Sequence, residues 1–297
     1  MFQRRILMTK INSRYRLRSS AFERAEEQNL VDPKRVIFLS VEGDETERAY
    51  FTHLGRTLDS SIIHIEVLRH RKGDGYSDPV QVIELLQEYV DMRQGSPIPA
   101  EILTKVTDKY SNETIQTYLT APTALEQNLK NAIQSDLLLL GIDIEYRQYL
   151  QKYDGATDIF GVIIDRDCGS HSREVMESSV KYCKEKGYHC YVSNPCFEFW
   201  LLLHLCDVMT EFGDEDRKQL LANPKISDRH TQVSAEVSKR AHHNKKISQA
   251  VFMAKYYPNI ETAINRSKNF ALHFPELLDN LGTNIPELLE IVGFPVI

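Results

Sequence analysis

The chain has 297 residues, of which 42% are hydrophobic and 26% charged, and a formal net charge of −6, the proportions of a soluble globular protein with one large domain or two modest ones. They exclude a membrane span: the longest apolar run, Phe199–Leu205, is interrupted by His204 and falls far short of the ~18–20 residues a bilayer needs. Arg4, Arg5, Lys10 and Asn12 precede any apolar segment that could serve as a signal peptide, so the chain is expected to stay in the cytoplasm, and its five cysteines lie between Cys168 and Cys206 without a CxxC pair, which argues for reduced thiols.

From Arg35 the sequence reads RVIFLSVEG to Gly43. A continuous β-branched and apolar run of this kind predicts a strand buried on both faces of a parallel sheet. A helix follows, opened by Glu45, Thr46 and Glu47, with Ala49, Tyr50, Phe51 and Leu54 at helical spacing. Ile62–Leu68 predicts a second strand, and Pro79–Met92 a helix with proline in its first turn. Between Gly95 and Tyr153 β character disappears. Ala124–Leu140 has a helical pattern, so residues 95–153 are expected to form a helical insertion between strands. The sheet resumes with Asp158–Asp167 (DIFGVIIDRD), followed by a helix over Ser172–Lys186 that Gly187 stops, and a strand over Tyr188–Val192. Cys196–Leu205 is apolar on nearly every side and predicts a short, deeply buried helix. Beyond Asp207 no strong strand is evident, and Lys245–Phe270 and Asn284–Val292 have helical patterns. The expected organisation is a basic arm (1–33), an α/β domain with a mostly parallel sheet (34–206) and a helical C-terminal subdomain (207–297).

Ligands of open α/β sheets bind beyond the carboxyl ends of the strands. Two predicted strands end there in acids, Glu42 in one and Asp165 and Asp167 in the other. If the backbone stays extended through Arg166, Asp165 and Asp167 share a face and could flank one hard cation, with Mg²⁺ or Mn²⁺ the natural choice for oxygen donors and phosphate substrates. Alone, each acid also fits a solvated turn or a helix cap.

The acids and their surroundings resemble a known family. Glu42-Gly43 in a strand-to-helix turn, with a hydrophobic-Asp165-x-Asp167 motif far downstream, is similar to the TOPRIM fold of topoisomerases, primases and overcoming-lysogenization-defect nucleases. In finer detail Val41–Phe51 (VEGDETERAYF), Ile164–Asp167 (IDRD) and Ser193–His204 (SNPCFEFWLLLH) resemble the RloB-like family over roughly residues 35–205. Members of that family are often encoded beside ATPases in bacterial antiphage and abortive-infection systems. The 95–153 segment has no counterpart in the resemblance. It implies a TOPRIM-like α/β fold and a metal-dependent nuclease in which Glu42, Asp165 and Asp167 hold a divalent ion. Glu47 is then either a second-metal ligand or proton acceptor, or a first-turn acid that complements the helix dipole. Glu198 lies in an apolar segment where an unpaired carboxylate is costly. It either reaches the metal or takes a capping or core hydrogen-bond role, with Asn194 or an arginine as partner. His204, on the same apolar segment, fits a satisfied core histidine better than a ligand.

Charge is unevenly spread. Residues 1–24 contain seven Lys/Arg against one acid, and residues 217–268 contain eleven against three, a pattern that fits a nucleic-acid track. Lys245 and Lys246 open a predicted helix where side-chain and dipole charge could meet a phosphate, Lys246 offsetting transition-state charge. Arg4 and Arg5 supply the arm, which could instead dock a protein, and Tyr256 and Tyr257 are candidate stacking groups. No Walker A motif is present, so ATP hydrolysis belongs to a partner. The expected partners are RNA or DNA and a neighbouring ATPase. Two other readings stand beside the nuclease: a non-catalytic binding module, and a metal-dependent phosphatase or transferase. A haloacid-dehalogenase phosphatase fits poorly, since the acid pair lies mid-chain with Gly169 where Thr or Val is expected.

Overall fold

Val36, Ile37, Phe38 and Leu39 follow one another without a polar break because both faces of their strand are covered. In the computed structural model, which describes residues 35–43, 45–59, 62–68, 78–95, 98, 100–139, 157–167, 169–242 and 247–295, they belong to β1 (Arg35–Val41). It pairs in parallel with β2 (Ile63–Val67) on one side and β3 (Ile159–Asp165) on the other. Next to β3, and parallel to it, lies β4 (His189–Asn194). The order is β2-β1-β3-β4 with a short fifth strand, β5 (Gly282–Thr283), beyond β4, a mostly parallel α/β sheet as expected. Val41 aligns with Ile163, which brings the carboxyl ends of β1 and β3 to the same rim.

Alternation then sorts the side chains. Ile37, Leu39 and Val41 of β1 join Ile163 and Tyr191 on a face packed against Tyr50, Phe51 and Leu54 of α1 (Thr46–Gly55). On the opposite face Phe38 stacks on Phe160 at 5.4 Å, and the Ser40 hydroxyl donates to the Val82 carbonyl of α2 (Pro79–Arg93) at 2.7 Å.

The described residues divide into two compact units, one including 33–87 and 155–297 and the other 88–154. In the second, α3 (Ala100–Thr107), α4 (Asn112–Thr120) and α5 (Gln127–Leu139) surround a small core of Val106, Ile115, Tyr118, Ile133 and Leu137. Ser111 caps α4 by accepting the Thr114 N–H at 3.1 Å, and Asp136 ties the helices by accepting from Lys109 and the Tyr110 hydroxyl at 2.5 and 2.7 Å.

After β3 the chain forms α6 (Arg173–Lys186), whose Ser172 cap accepts the Val175 N–H and whose stop is Gly187 at φ +74°. β4 leads into α7 (Phe197–Leu205). Its apolar residues are buried on all sides because α7 lies between the sheet and later helices. Trp200 and Phe199 are fully buried, and truncating either to alanine would cost ~3–5 kcal/mol. A one-turn α8 (Val208–Glu211), α9 (Asp214–Ala222) and α10 (Gln232–Ala241) follow. The expected single helix over Lys245–Phe270 is instead a series: a turn at Gln249–Val251, a π-helical turn at Phe252–Tyr256, a 3₁₀ turn at Tyr257–Asn259 and α11 (Ile260–Ser267). Pro258 accounts for the change, since it has no N–H to give and crowds the preceding carbonyls.

Residues of the helical C-terminal part lie in the same compact unit as the sheet and contribute to its core. They also supply a strand, β5 (Gly282–Thr283), antiparallel to β4, before α12 (Ile285–Ile291). A Cβ on Gly282 would sit 2.0 Å from the Ala271 carbonyl oxygen, so only glycine allows that approach. Asn284 accepts the Val192 N–H at 2.6 Å and donates to the Cys190 carbonyl at 3.1 Å, which satisfies the edge of β4 with a side chain. Among the described residues no helix is long and apolar enough to cross a membrane.

Candidate active site

β1 and β3 end side by side, and their terminal acids are joined directly. The Asp165 N–H donates to Glu42 Oε2 at 3.0 Å, and the Phe197 N–H at the start of α7 donates to Asp165 Oδ1 at 2.8 Å. Glu42 thus bridges two strands, while Asp165 satisfies an otherwise free N–H at a helix start. The other Glu42 oxygen meets His171 Nε2 at 3.2 Å. This hydrogen bond raises the His171 pKa above its ordinary value, against the opposing effect of burial.

Glu47 is in the first turn of α1, yet its carboxylate turns back toward the strand end. A Cβ placed on Gly43 would lie 1.9 Å from Glu47 Oε2. Gly43 is therefore the residue that lets this carboxylate fold over the backbone, where the amides of Gly43 and Glu47 partly offset the cost of its charge. Glu47 is buried, at 5% exposure. Burial pushes its pKa up to about 8, with Glu198 and then Glu42 adding repulsion. Asp165, at the half-buried end of β3, is also held well above the usual carboxylate range, by desolvation first and then by Glu47, Glu42 and Glu198. Glu198 enters from the first turn of α7, beside Cys196, whose thiol pKa is raised chiefly by burial and next by the Glu198 charge. The suggested Asn194 partner is engaged elsewhere, donating to the Leu277 carbonyl at 2.7 Å. Glu42, Glu47, Asp165 and Glu198 thus form one interacting carboxylate group, and no Lys or Arg among the described residues pairs with it.

Asp167 departs from expectation. β3 stops at Asp165, and Asp167 has φ +23°, so the backbone does not continue extended through Arg166 and the two aspartates do not share a strand face. The Asp167 carboxylate accepts from the Gly169 N–H at 3.3 Å and the Ser170 hydroxyl at 2.8 Å, an Asx-type turn. It still lines the cleft described below. Arg166, between the two acids, is buried and donates to the Leu278 and His171 carbonyls at 3.0 and 2.7 Å. It anchors the turn that carries His171.

These acids line a cleft of about 600 Å³. The segment joining α9 to α10 lines it as well, with Asn223, Lys225, Asp228, Arg229, His230 and Thr231. Neither His171 nor these residues stood out in the sequence as part of the site. The signal for the latter was the basic bias of residues 217–268. Arg4, Arg5, Lys245 and Lys246 lie outside the described residues.

His204 is a core residue. Its Nδ1 donates to the Trp200 carbonyl at 2.9 Å and its Nε2 meets the Tyr50 hydroxyl at 3.2 Å, and burial lowers its pKa to about 3. Tyr256 is fully buried with ring neighbours His204 and Tyr50, and Tyr257 packs against Phe252 and Phe294. Tyr256 has no exposed ring on which a base could stack.

The donors in the carboxylate group are all oxygens, the set a hard divalent cation prefers. The two acids with raised pKa values lack positive partners, which is the condition a cation would relieve. Among the described residues, no three His, Cys, Asp or Glu side chains are already arranged around a common ion position. Several oxygens are committed to backbone donors. The donor chemistry therefore fits such a cation without being a preformed cage.

Fold and site together define an α/β protein with a mostly parallel five-stranded sheet and a carboxylate-rich cleft at its strand ends. The family model for RloB-like proteins matches residues 37–292, most of the chain, and this protein belongs to the RloB-like protein family. No curated protein and no solved structure matches the chain.

Proposed function

We propose that this RloB-like protein is a divalent-metal-dependent nuclease that hydrolyses phosphodiester bonds in RNA or DNA. The observation that carries the reading is the convergence of Glu42, Glu47, Asp165 and Glu198 in one cleft, from two strands and the helices that follow β1 and β4. These four residues would hold Mg²⁺ or Mn²⁺, with Asp167 at the margin. Such an ion supplies Lewis acidity toward the phosphoryl oxygens and lowers the pKa of bound water.

The residues of the chain have their own tasks. Glu42 and Asp165 lock the two strand ends together through the Asp165 N–H, which fixes the rim on which a phosphodiester is placed. Buried Glu47, whose charge is disfavoured by desolvation and by Glu198 and Glu42, is the acid whose ionisation a bound cation would favour most directly. His171 orients Glu42 and offsets part of its charge. The family resemblance further suggests an antiphage effector that works with an ATPase supplied by another chain.

The test is incubation of purified protein with total RNA and with plasmid DNA, with Mg²⁺, Mn²⁺ or EDTA, followed by sequencing of new ends. Metal-dependent cleavage that Glu42→Gln abolishes is the expected result. Release of phosphate from small phosphomonoesters with polynucleotides left whole would replace the nuclease by a phosphatase. No turnover of either substrate would leave a binding module.

A further inference from the structure

A polyanion cannot approach a wall of carboxylates unless something holds it there. The cleft that the acids line is also lined by a short hairpin. Lys225 and Thr231 form an antiparallel bridge, and the N–H groups of Ile226 and Ser227 both donate to the His230 carbonyl, at 2.9 and 3.1 Å. At the tip the Ser227 hydroxyl oxygen accepts from the N–H groups of Arg229 and His230 at 3.3 and 3.1 Å.

The base is tied down at both ends. Asn223, in the left-handed region at φ +42°, accepts the Val233 N–H at 3.0 Å and donates to Cys196 Sγ at 3.5 Å. Cys196 is also the N-cap residue of α7, whose first turn carries Glu198. The hairpin is therefore tied to the start of α7, the helix that carries Glu198, and α10, which it enters, buries Val233 and Val237 in the core shared with α7.

This small, well-braced loop presents Lys225 and Arg229, both exposed and both lining the cleft. Neither makes an ion pair among the described residues, whereas Arg173, Arg217 and Arg240 are each engaged with carboxylates. Asp228 lies between them, so the hairpin carries a net charge of about +1 with His230 neutral. Two cations carried on a braced backbone and lining the same cleft as the acids, but in no ion pair with them, remain available to an anion. Arg229 offers a planar fork suited to two phosphate oxygens, and Lys225 a compact point charge.

We propose that the Lys225–Thr231 hairpin is the phosphate-gripping wall of the cleft, where Lys225 and Arg229 hold backbone phosphates of a nucleic-acid strand against the carboxylates. The inference rests on the nuclease reading of the same cleft and adds the residues that grip and register the strand. They are binding residues and take no proton in the reaction.

The experiment is binding of a fluorescently labelled single-stranded oligonucleotide, as RNA and as DNA, followed by anisotropy over a range of salt concentrations with Ca²⁺ present. Wild type is compared with Lys225→Gln, Arg229→Gln, the double variant, and Lys225→Arg as a charge-retaining control. Thermal melting checks the fold. Each lost phosphate contact should lower the slope of log K against log salt by ~0.7, and the double variant by ~1.4, while Lys225→Arg keeps the wild-type slope. A double variant with an unchanged melting temperature and the wild-type slope would overturn the inference, as would a wild type whose binding does not depend on salt. The two readings separate cleanly. A wild type that cuts nucleic acid while the double variant keeps its slope and KM removes the hairpin alone. A wild type that binds with the hairpin-dependent slope but cuts nothing in Mg²⁺ or Mn²⁺ leaves the phosphate wall standing and removes the nuclease.

Discussion

Replacing Glu47 by glutamine should stabilise the metal-free protein, and the gain should grow with pH. Glu47 ionises near pH 4.5 when unfolded, but burial and the charges of Glu198 and Glu42 push its folded pKa up to about 8. Below the unfolded pKa both states carry the proton, so glutamine, a neutral isostere, changes little. Between the two values the unfolded chain loses its proton first, and wild-type stability falls by ~1.4 kcal/mol per pH unit until the folded group ionises as well. The full gap corresponds to ~5 kcal/mol as an upper bound. Relaxation of water and of the neighbouring carboxylates takes up part of it, so ~2–4 kcal/mol is expected at pH 9 and almost none near pH 4.5. The assay is urea unfolding of both proteins in EDTA at a series of pH values. Saturating Mg²⁺ or Mn²⁺ should then narrow the difference, because an ion at 100 times its dissociation constant adds ~2.7 kcal/mol to whichever protein binds it. A glutamine variant no more stable than wild type at pH 9 would falsify the view that Glu47 is an unrelieved buried charge.

Other outcomes follow from the same geometry. Gly43→Ala puts a Cβ 1.9 Å from Glu47 Oε2, so it should displace the carboxylate and depress cleavage as severely as loss of Glu47; wild-type turnover in this variant would refute the folded-back position. Asp165→Asn should end cleavage yet keep an acceptor for the Phe197 N–H, whereas Asp165→Ala should also lower stability by ~1–2 kcal/mol in urea unfolding; equal stabilities of the two variants would refute that cap. The His171 pKa is raised in the folded state, so its contribution is complete below pH ~6.5 and fades as pH rises through the folded value; His171→Asn should flatten that part of the stability profile, and an unaltered profile would count against the Glu42 contact. His204, with a folded pKa of about 3, should do the opposite, costing stability as pH falls below ~6.5; unfolding curves of His204→Phe should lose that acid sensitivity.

Much of this arrangement could be read from the chain before folding. The parallel strands announced themselves because burial on both faces demands unbroken runs such as Val36–Leu39, and α6 carried its own start and stop in Ser172 and Gly187. Glu42 and Asp165 were legible because they end such runs. What could not be read depended on contacts between distant residues. The left-handed backbone at Asp167 breaks the two-residue rule that had put it beside Asp165, and local pattern does not distinguish a strand end from a turn there. His171 reaches Glu42 only because Arg166 holds the intervening turn by its carbonyl. The hairpin at Lys225–Thr231 has no apolar periodicity, and its place in the same cleft as the acids comes from Asn223 and Cys196, which are 27 positions apart. Gly282–Thr283 is too short to signal a strand, and its pairing depends on the extended edge of β4.

The stretch from Leu277 to Asn284 is bound into the sheet. Residues 277–284 supply the carbonyls that Arg166 and Asn194 need, the hydroxyl opposite Ser193 and the amide that closes the edge of β4. Shortening the protein after residue 270 would therefore strip the brace from Arg166, release the His171 turn and let Glu42 drift, many residues away from the cut. A minimal working fragment must keep the stretch through Asn284, and a binding partner that levered it off the sheet would switch the cleft off without touching it.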